Sequence, residues 1–207
     1  MWVRSEYANE LAVLSAWLTV LLPWSGSAHT RTEAGLESDI LFLRFPFFEL
    51  QFRSPAVVEL DGVTAEVETL ENTYAGTELF GNVFATTPPS SLAFYEGALW
   101  QASLLWTVAA VGFALAVLFS LALYLREGRV AERLSVTPVR LMGALLGVGA
   151  LGTAGASAVH YTARDTVGLP VPAGVLVVAA LAAVLLRTEE VASSDDEANS
   201  ESAESSA

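Results

Sequence analysis

Gly97 to Leu125 reads GALWQASLLWTVAAVGFALAVLFSLALYL and contains no charged residue. An α-helix rises about 1.5 Å per residue, so about 20 residues cross the ~30 Å hydrocarbon layer of a membrane. The run exceeds that length. Three further charge-free apolar runs flank it: Leu11 to Ala28, Leu141 to Ala163 and Thr166 to Leu186. Backbone in lipid has no water to bond to, so helix is the expected form of such runs. The pattern predicts an all-α membrane bundle of four transmembrane helices. A small β-containing extracellular domain lies between the first two, and a disordered acidic tail ends the chain.

The division that follows is 1–24 for the N-terminus and first transmembrane helix, 25–91 for an extracellular acidic β-rich domain, and 92–126 for the second helix. Then come a cytoplasmic Arg-rich loop (127–137), the third helix (138–161), a short extracellular loop (162–169), the fourth helix (170–187) and a disordered acidic cytoplasmic tail (188–207). Local signals mark the edges. Ser5 is a candidate cap for the first helix and Pro23 closes it. Pro88, Pro89, Ser90 and Ser91 form a breaker and cap before the second. Thr137 followed by Pro138 reads as an N-cap with proline at the first helical position. Pro170 and Pro172 open the fourth. Gly26-Ser27-Ala28 also resembles a signal-peptide cleavage site, although Glu6 and Glu10 cancel the positive charge such a leader carries.

Orientation follows from arginine. Arg4, Arg126, Arg129, Arg133, Arg140 and Arg187 share one side of the four-span scheme, which makes both termini cytoplasmic. Trp24, Tyr95, Trp100 and Tyr161 would form an outer aromatic belt, with Trp2, Tyr7 and Tyr124 an inner one.

Composition agrees with a membrane chain. Hydrophobic residues make up 53% of it, yet the formal net charge is -13, so the acids must lie outside the apolar runs. All ten basic residues are arginine. A lysine-free, acidic, Ala/Val-rich chain suits a GC-rich, salt-loving organism, where a Debye length of about 3 Å at molar salt screens an acidic surface; codon bias alone gives the same composition. The acidity argues against nucleic-acid binding. There are no cysteines, which excludes disulfides, thiolate metal sites and cysteine nucleophiles. The tail from Glu189 to Ala207 is almost entirely Ser, Ala, Asp and Glu and has nothing to bury.

Within the outer segment, Ile40 to Arg53 reads ILFLRFPFFELQFR. Phe48, Leu50 and Phe52 alternate with Glu49, Gln51 and Arg53, the period of a half-buried strand. Ala56 to Leu60 and Val63 to Thr69 flank Asp61-Gly62, a hairpin signal. Three or four short strands are expected, packed on the helix ends. Arg44 stands out in this apolar setting. Alternation places it opposite Leu43 and Phe45, which favours a strand-face arginine pointing to water. Otherwise it is a structural ion-pair residue, matched by Glu49, Glu96 or Asp165, that pins the outer domain onto the helices.

The third apolar run is rich in small residues. Gly143 and Gly147 lie four apart on one face, as do Gly152 and Ala156. Such a helix-packing face serves a partner chain or a second copy, or else packing inside the chain's own bundle; the third helix should be the most buried.

Other chemistry is thin. No ionisable residue sits near the centre of any run, which speaks against a transport path. Ser157 and His160 share one helix, without the separate base an intramembrane serine protease requires. His29 and His160 fall at the outer interface near Glu33, Glu96 and Asp165, but with no metal-ligand spacing. No catalytic, cofactor or metal residue is assigned.

Three blocks carry a resemblance: MWVRSEYANELAVLSAWLTVLLPW at the start, FLRFPFF at Phe42 to Phe48, and TPVRLMGALL at Thr137 to Leu146. Together the chain resembles a family of small haloarchaeal multi-pass membrane proteins defined as a domain of unknown function. The resemblance implies a haloarchaeal membrane protein and supplies no activity or cofactor. The expected function is therefore non-enzymatic binding or scaffolding in a cell membrane. The lipid bilayer is its surroundings, and a protein partner or second copy docks through the third helix or the outer domain. The alternative is an accessory subunit of a transport or sensory complex.

Overall fold

The computed structural model describes residues 3–5, 7–33, 36–60, 63–67, 74–125 and 136–190. In chain order the elements are β1 (Val3–Ser5), α1 (Ala8–Leu21), β2 (Ser25–Glu33), β3 (Leu36–Arg44), β4 (Glu49–Arg53), β5 (Ala56–Leu60), β6 (Val63–Val67), β7 (Thr77–Phe80), β8 (Val83–Thr86), α2 (Pro88–Phe94), α3 (Gly97–Leu125), α4 (Pro138–Thr162), α5 (Arg164–Val167), α6 (Ala173–Arg187) and β9 (Thr188–Glu190).

The predicted all-α bundle of four membrane-spanning helices is overturned. The chain folds as helices plus a five-stranded antiparallel sheet of order β2-β3-β4-β8-β7, with β5–β6 and β1–β9 as separate two-stranded pairs. Among the described residues, α3 and α4 are the two helices long and apolar enough to cross a membrane. The outer runs fall short for local reasons. Pro23 follows the end of α1, and Ser25 to Ala28 join β2. The last run breaks at Gly168 to Pro172 and leaves 15 residues in α6. At 14 and 15 residues, α1 and α6 are about 21 and 22 Å long, against a ~30 Å layer.

The four longer helices still pack on one another. Ala8, Ala12 and Ala16 of α1, Ala109, Phe113 and Ala116 of α3, Met142 and Leu146 of α4, and Val178 and Leu185 of α6 share one buried core. The alanines recur every four residues on α1, which presents a smooth ridge to its neighbours. α4 is central and touches α1, α3 and α6. The outward faces are apolar too: Leu14 and Leu21 of α1, Val111 and Leu118 of α3, Leu151 of α4 and Leu176 of α6 are all more than half exposed.

The small-residue positions divide. A Cβ at Gly143 would lie 3.0 Å from Leu185 Cβ of α6, and one at Gly152 would lie 2.8 Å from Ala109 Cβ of α3. Ala156 is buried beside Trp24, Trp106 and Val175. Gly147 has open space where its Cβ would be. Gly112 of α3 and Gly149 of α4 meet directly, so the two long helices approach backbone to backbone.

Other expected details shift. Ser5 lies in β1, and α1 starts after Tyr7 without a side-chain cap. Pro88 to Ser91, expected as a breaker and cap before the second long helix, lie inside α2, which Thr87 caps. Trp24 is 1% exposed, so it does not join a surface belt. Asp61-Gly62 and residues 191–207 lie outside the described residues, as does most of the Arg-rich loop; β5 and β6 pair in the register Leu60↔Val63 on either side of that dipeptide.

Overpacking a tight contact costs about 1–3 kcal/mol. Gly152→Leu is expected to lower the thermal unfolding temperature of the protein clearly. Gly147→Leu, placed into open space, leaves it nearly unchanged.

Candidate functional site

The structure's densest polar chemistry lies where the sheet meets the bundle, and it is built around the β3–β4 hairpin. Arg44 ends β3 and Glu49 begins β4, directly opposite each other in the ladder. Phe45, Pro46, Phe47 and Phe48 connect them; Phe45 N–H donates to the Phe48 carbonyl at 2.8 Å, and the two rings stack at 4.7 Å. Phe47 packs against the bundle core. Two indoles hold the turn from the helix side. Trp24 Nε1 donates to the Phe45 carbonyl at 3.1 Å; Trp106 Nε1 of α3 lies 3.0 Å from the carbonyls of both Phe45 and Pro46. Pro46 brings no N–H needing a partner in this enclosed place.

Behind the turn a polar row crosses four strands: Ser25, Arg44, Glu49 and Thr86. All four are at most 5% exposed. Arg44 Nε sits 2.6 Å from Glu49 Oε2, a charge pairing rather than a well-aligned hydrogen bond. Arg44 Nη1 donates to Ser27 Oγ at 3.0 Å, and Ser27 Oγ donates to the Val167 carbonyl at 2.7 Å, linking the sheet to α5. The guanidinium also lies 5.0 Å from the centre of the Phe42 ring. The reading of Arg44 as a water-facing residue is therefore corrected. It is 1% exposed and its carboxylate is Glu49, while Glu96 and Asp165 are exposed.

The strand pattern is inverted as well. On β4 the polar set Glu49, Gln51 and Arg53 is buried, whereas Phe48 and Phe52 are more than a third exposed. Burial of that set is tolerable because its members satisfy one another. Gln51 Nε2 donates to Glu49 Oε1 at 2.7 Å and to the Ala75 carbonyl at 2.8 Å; Arg53 Nη2 donates to Gln51 Oε1 at 2.6 Å. Arg53 stacks over Phe84 at 3.8 Å. Beside the polar row, Ile40 and Phe42 meet Tyr74, Val167 and Leu99.

Two tyrosines close the seam. Tyr74 O–H donates to the Thr166 carbonyl at 2.8 Å, and Tyr95 Oη accepts the Ala75 N–H at 3.1 Å. Burial pushes the Tyr74 phenol up. Burial first, and then the Glu49 charge, push Tyr95 up further. The positive φ of Gly168 (76°) completes the junction: a Cβ there would collide with the Ala28 carbonyl.

The remaining candidates separate. His160 packs against Trp24 with ring centres 6.3 Å apart, while His29 lies on β2 near Gly168. Ser157 Oγ and His160 Nδ1 are buried and unpartnered, so they do not bond to each other as nucleophile and base. Among the described residues no three His, Asp or Glu side chains group to hold a metal. Chemically the seam is a connected set of buried polar groups suited to fastening one layer on another, with Ser25 Oγ and Thr86 Oγ1 left without a hydrogen-bond partner. Gln51, Arg53, Ser27 and the two indoles were missed in the sequence. The available signal was Arg44 and Glu49, opposite charges flanking a four-residue apolar turn, because such pairs face each other across a hairpin.

Removing one member of a buried ion pair costs about 3–5 kcal/mol, whereas replacing both by apolar groups is far milder. Arg44→Met and Glu49→Leu are each expected to destabilise the protein strongly in chemical unfolding. The double variant should recover most of the loss. A pH effect follows from Tyr95. The fold favours its neutral phenol, so this contribution is complete below the ordinary tyrosine value of about 10 and is lost as pH rises past it. Unfolding midpoints should fall above that pH, and less steeply in Tyr95→Phe.

No curated protein matches this chain. The model of one family matches residues 1–190, which take in the sheet, the hairpin and the helix bundle. The chain belongs to that family, a family of unknown function designated DUF7549.

Proposed function

We propose that this chain is a non-enzymatic integral membrane protein that binds or scaffolds, displaying a sheet domain clamped to the membrane-embedded helices. The observation that carries the reading is the apolar surface of α3 and α4. Leu118 is 61% exposed and Leu151 is 77% exposed, on helices without a charge at their centres. A helix that is apolar all round belongs in a core or in lipid, and no further layer covers these faces among the described residues. α3 and α4 form the spanning pair, with α1 and α6 beside them in the same apolar layer.

Orientation is supported from two directions. β1 and β9 pair in parallel, which brings the two ends of the described chain together. The start of α1, the end of α3 and the start of α4 line one groove, so the two helix ends that flank the Arg-rich segment in sequence lie beside the start of α1. Arginine marks the cytoplasmic side, which supports the reading with both termini there. The lysine-free acidic composition supports a haloarchaeal membrane as the setting.

A static role is favoured by how the helix hydroxyls bond. Ser15, Thr19, Thr107, Ser120 and Thr153 each donate to a carbonyl of their own helix. Such side chains tie nothing across the bundle and offer no polar path through it. The accessory-subunit reading shares this architecture and differs in having an obligate partner.

Carbonate extraction of expressing cells tests the membrane reading: the protein is expected in the pellet, and release into the supernatant would overturn it. Affinity purification from native membranes separates the two roles. A stoichiometric transport or sensory subunit in the eluate would favour the accessory role over the scaffold.

A further inference from the structure

Side chains along a strand alternate between the two faces of a sheet. In the five-stranded sheet the buried seam occupies one face, so the other carries the alternate set. The ladder aligns Leu43, Leu50 and Ala85 in one row of that face, and Leu41, Phe52 and Val83 in the next. Neither row contains a charge, although the chain as a whole is strongly acidic. Leu41 is 42% exposed and Phe52 is 39% exposed. Polarity returns one row further from the bundle, where Thr30 Oγ1 donates to Asp39 Oδ1 at 2.7 Å. Successive rows on one face are about 7 Å apart, two strand residues at ~3.4 Å each. The face is thus graded, apolar next to the bundle and polar away from it.

The apolar part is continuous with the helix surface. Gly26 of β2 bonds to Val171 in both directions, at 3.2 and 2.8 Å. A shallow trough of about 550 Å³ across this junction is lined by Leu41 and Leu43 of the sheet together with Leu169 and Val171. Leu169 and Val171 are themselves 57% and 59% exposed, and α6 with its exposed Leu176 follows directly. Protein–protein interfaces end in a polar rim. On the side toward α6 this patch has none and runs into the apolar belt.

We propose that this face of the sheet is a lipid-contact face. It lies in the bilayer's interfacial layer, with the Leu41–Phe52 row against acyl chains and the Thr30–Asp39 row at the aqueous boundary. The inference rests on the membrane reading of α3 and α4 and adds that the sheet domain lies down on the bilayer instead of standing off in water.

The cysteine-free sequence makes single-site spin labelling direct. Phe52→Cys, Leu41→Cys, Leu118→Cys and Glu37→Cys, each carrying a nitroxide, are reconstituted into phosphatidylcholine–phosphatidylglycerol vesicles. Collisions are measured with oxygen, which concentrates in lipid, and with a neutral nickel chelate, which stays in water. The expected result is an oxygen preference at Phe52 and Leu41 matching that at Leu118, and the reverse at Glu37. A nickel preference at Phe52 and Leu41, with oxygen retained at Leu118, would overturn the lipid-contact face and leave the membrane reading standing. Exclusion of both reagents at Phe52 with spin–spin broadening would overturn it in favour of a second copy. A nickel preference at Leu118 would bring down the membrane reading and this inference with it.

Discussion

The buried pairing of Arg44 with Glu49 is the constraint on which the architecture turns. A guanidinium at 1% exposure is tolerable only beside a carboxylate, and Glu49 lies 2.6 Å away across the neck of the β3–β4 hairpin. That pairing sets the hairpin register, and the register delivers the Phe45–Phe48 turn to the indoles of Trp24 and Trp106. The turn then anchors the sheet by burying Phe47 against the helix core. Charge pairing, hydrogen bonding and apolar burial thus converge on a few residues, each supporting the geometry of the others.

The same constraint explains the inverted strand. Once Glu49 faces inward, strict alternation carries Gln51 and Arg53 inward with it and turns Leu50 and Phe52 outward. The polar residues form a connected network, which keeps their burial affordable, and the apolar ones are left on the far face. The buried polar seam and the outward apolar face are thus two consequences of one register.

Within the bundle the chemistry is quiet. Alanine ridges on α1 and the Gly112–Gly149 crossing let the helices pack closely, and helix hydroxyls bond to their own backbones. Small residues let helix backbones approach closely, and this van der Waals contact helps to hold them. The unpartnered Ser157 Oγ and His160 Nδ1 lie toward the C-terminal end of α4, where the His160 ring packs against Trp24.

The two long helices were legible from local composition alone. A charge-free run over Gly97 to Leu125 has one stable form, and α3 spans those same residues. Local punctuation also showed: Pro138 opens α4 and Pro23 follows the end of α1. Tertiary structure decided the rest. The apolar runs at either end continued beyond their helices because Ser25 to Ala28 are recruited by β3, and Val171 by Gly26 of β2; such pairings join residues distant in sequence and leave no local period. Alternation on β4 revealed two faces without revealing which one is buried, since that depends on what the sheet meets. Gly143, Gly147, Gly152 and Ala156 could be seen as small residues on a helix, but which of them touch a neighbour was set by how α3 and α6 cross α4. Arg44 carried its charge in the sequence. Its burial existed only once the hairpin had brought Glu49 opposite it and the helices had closed over both.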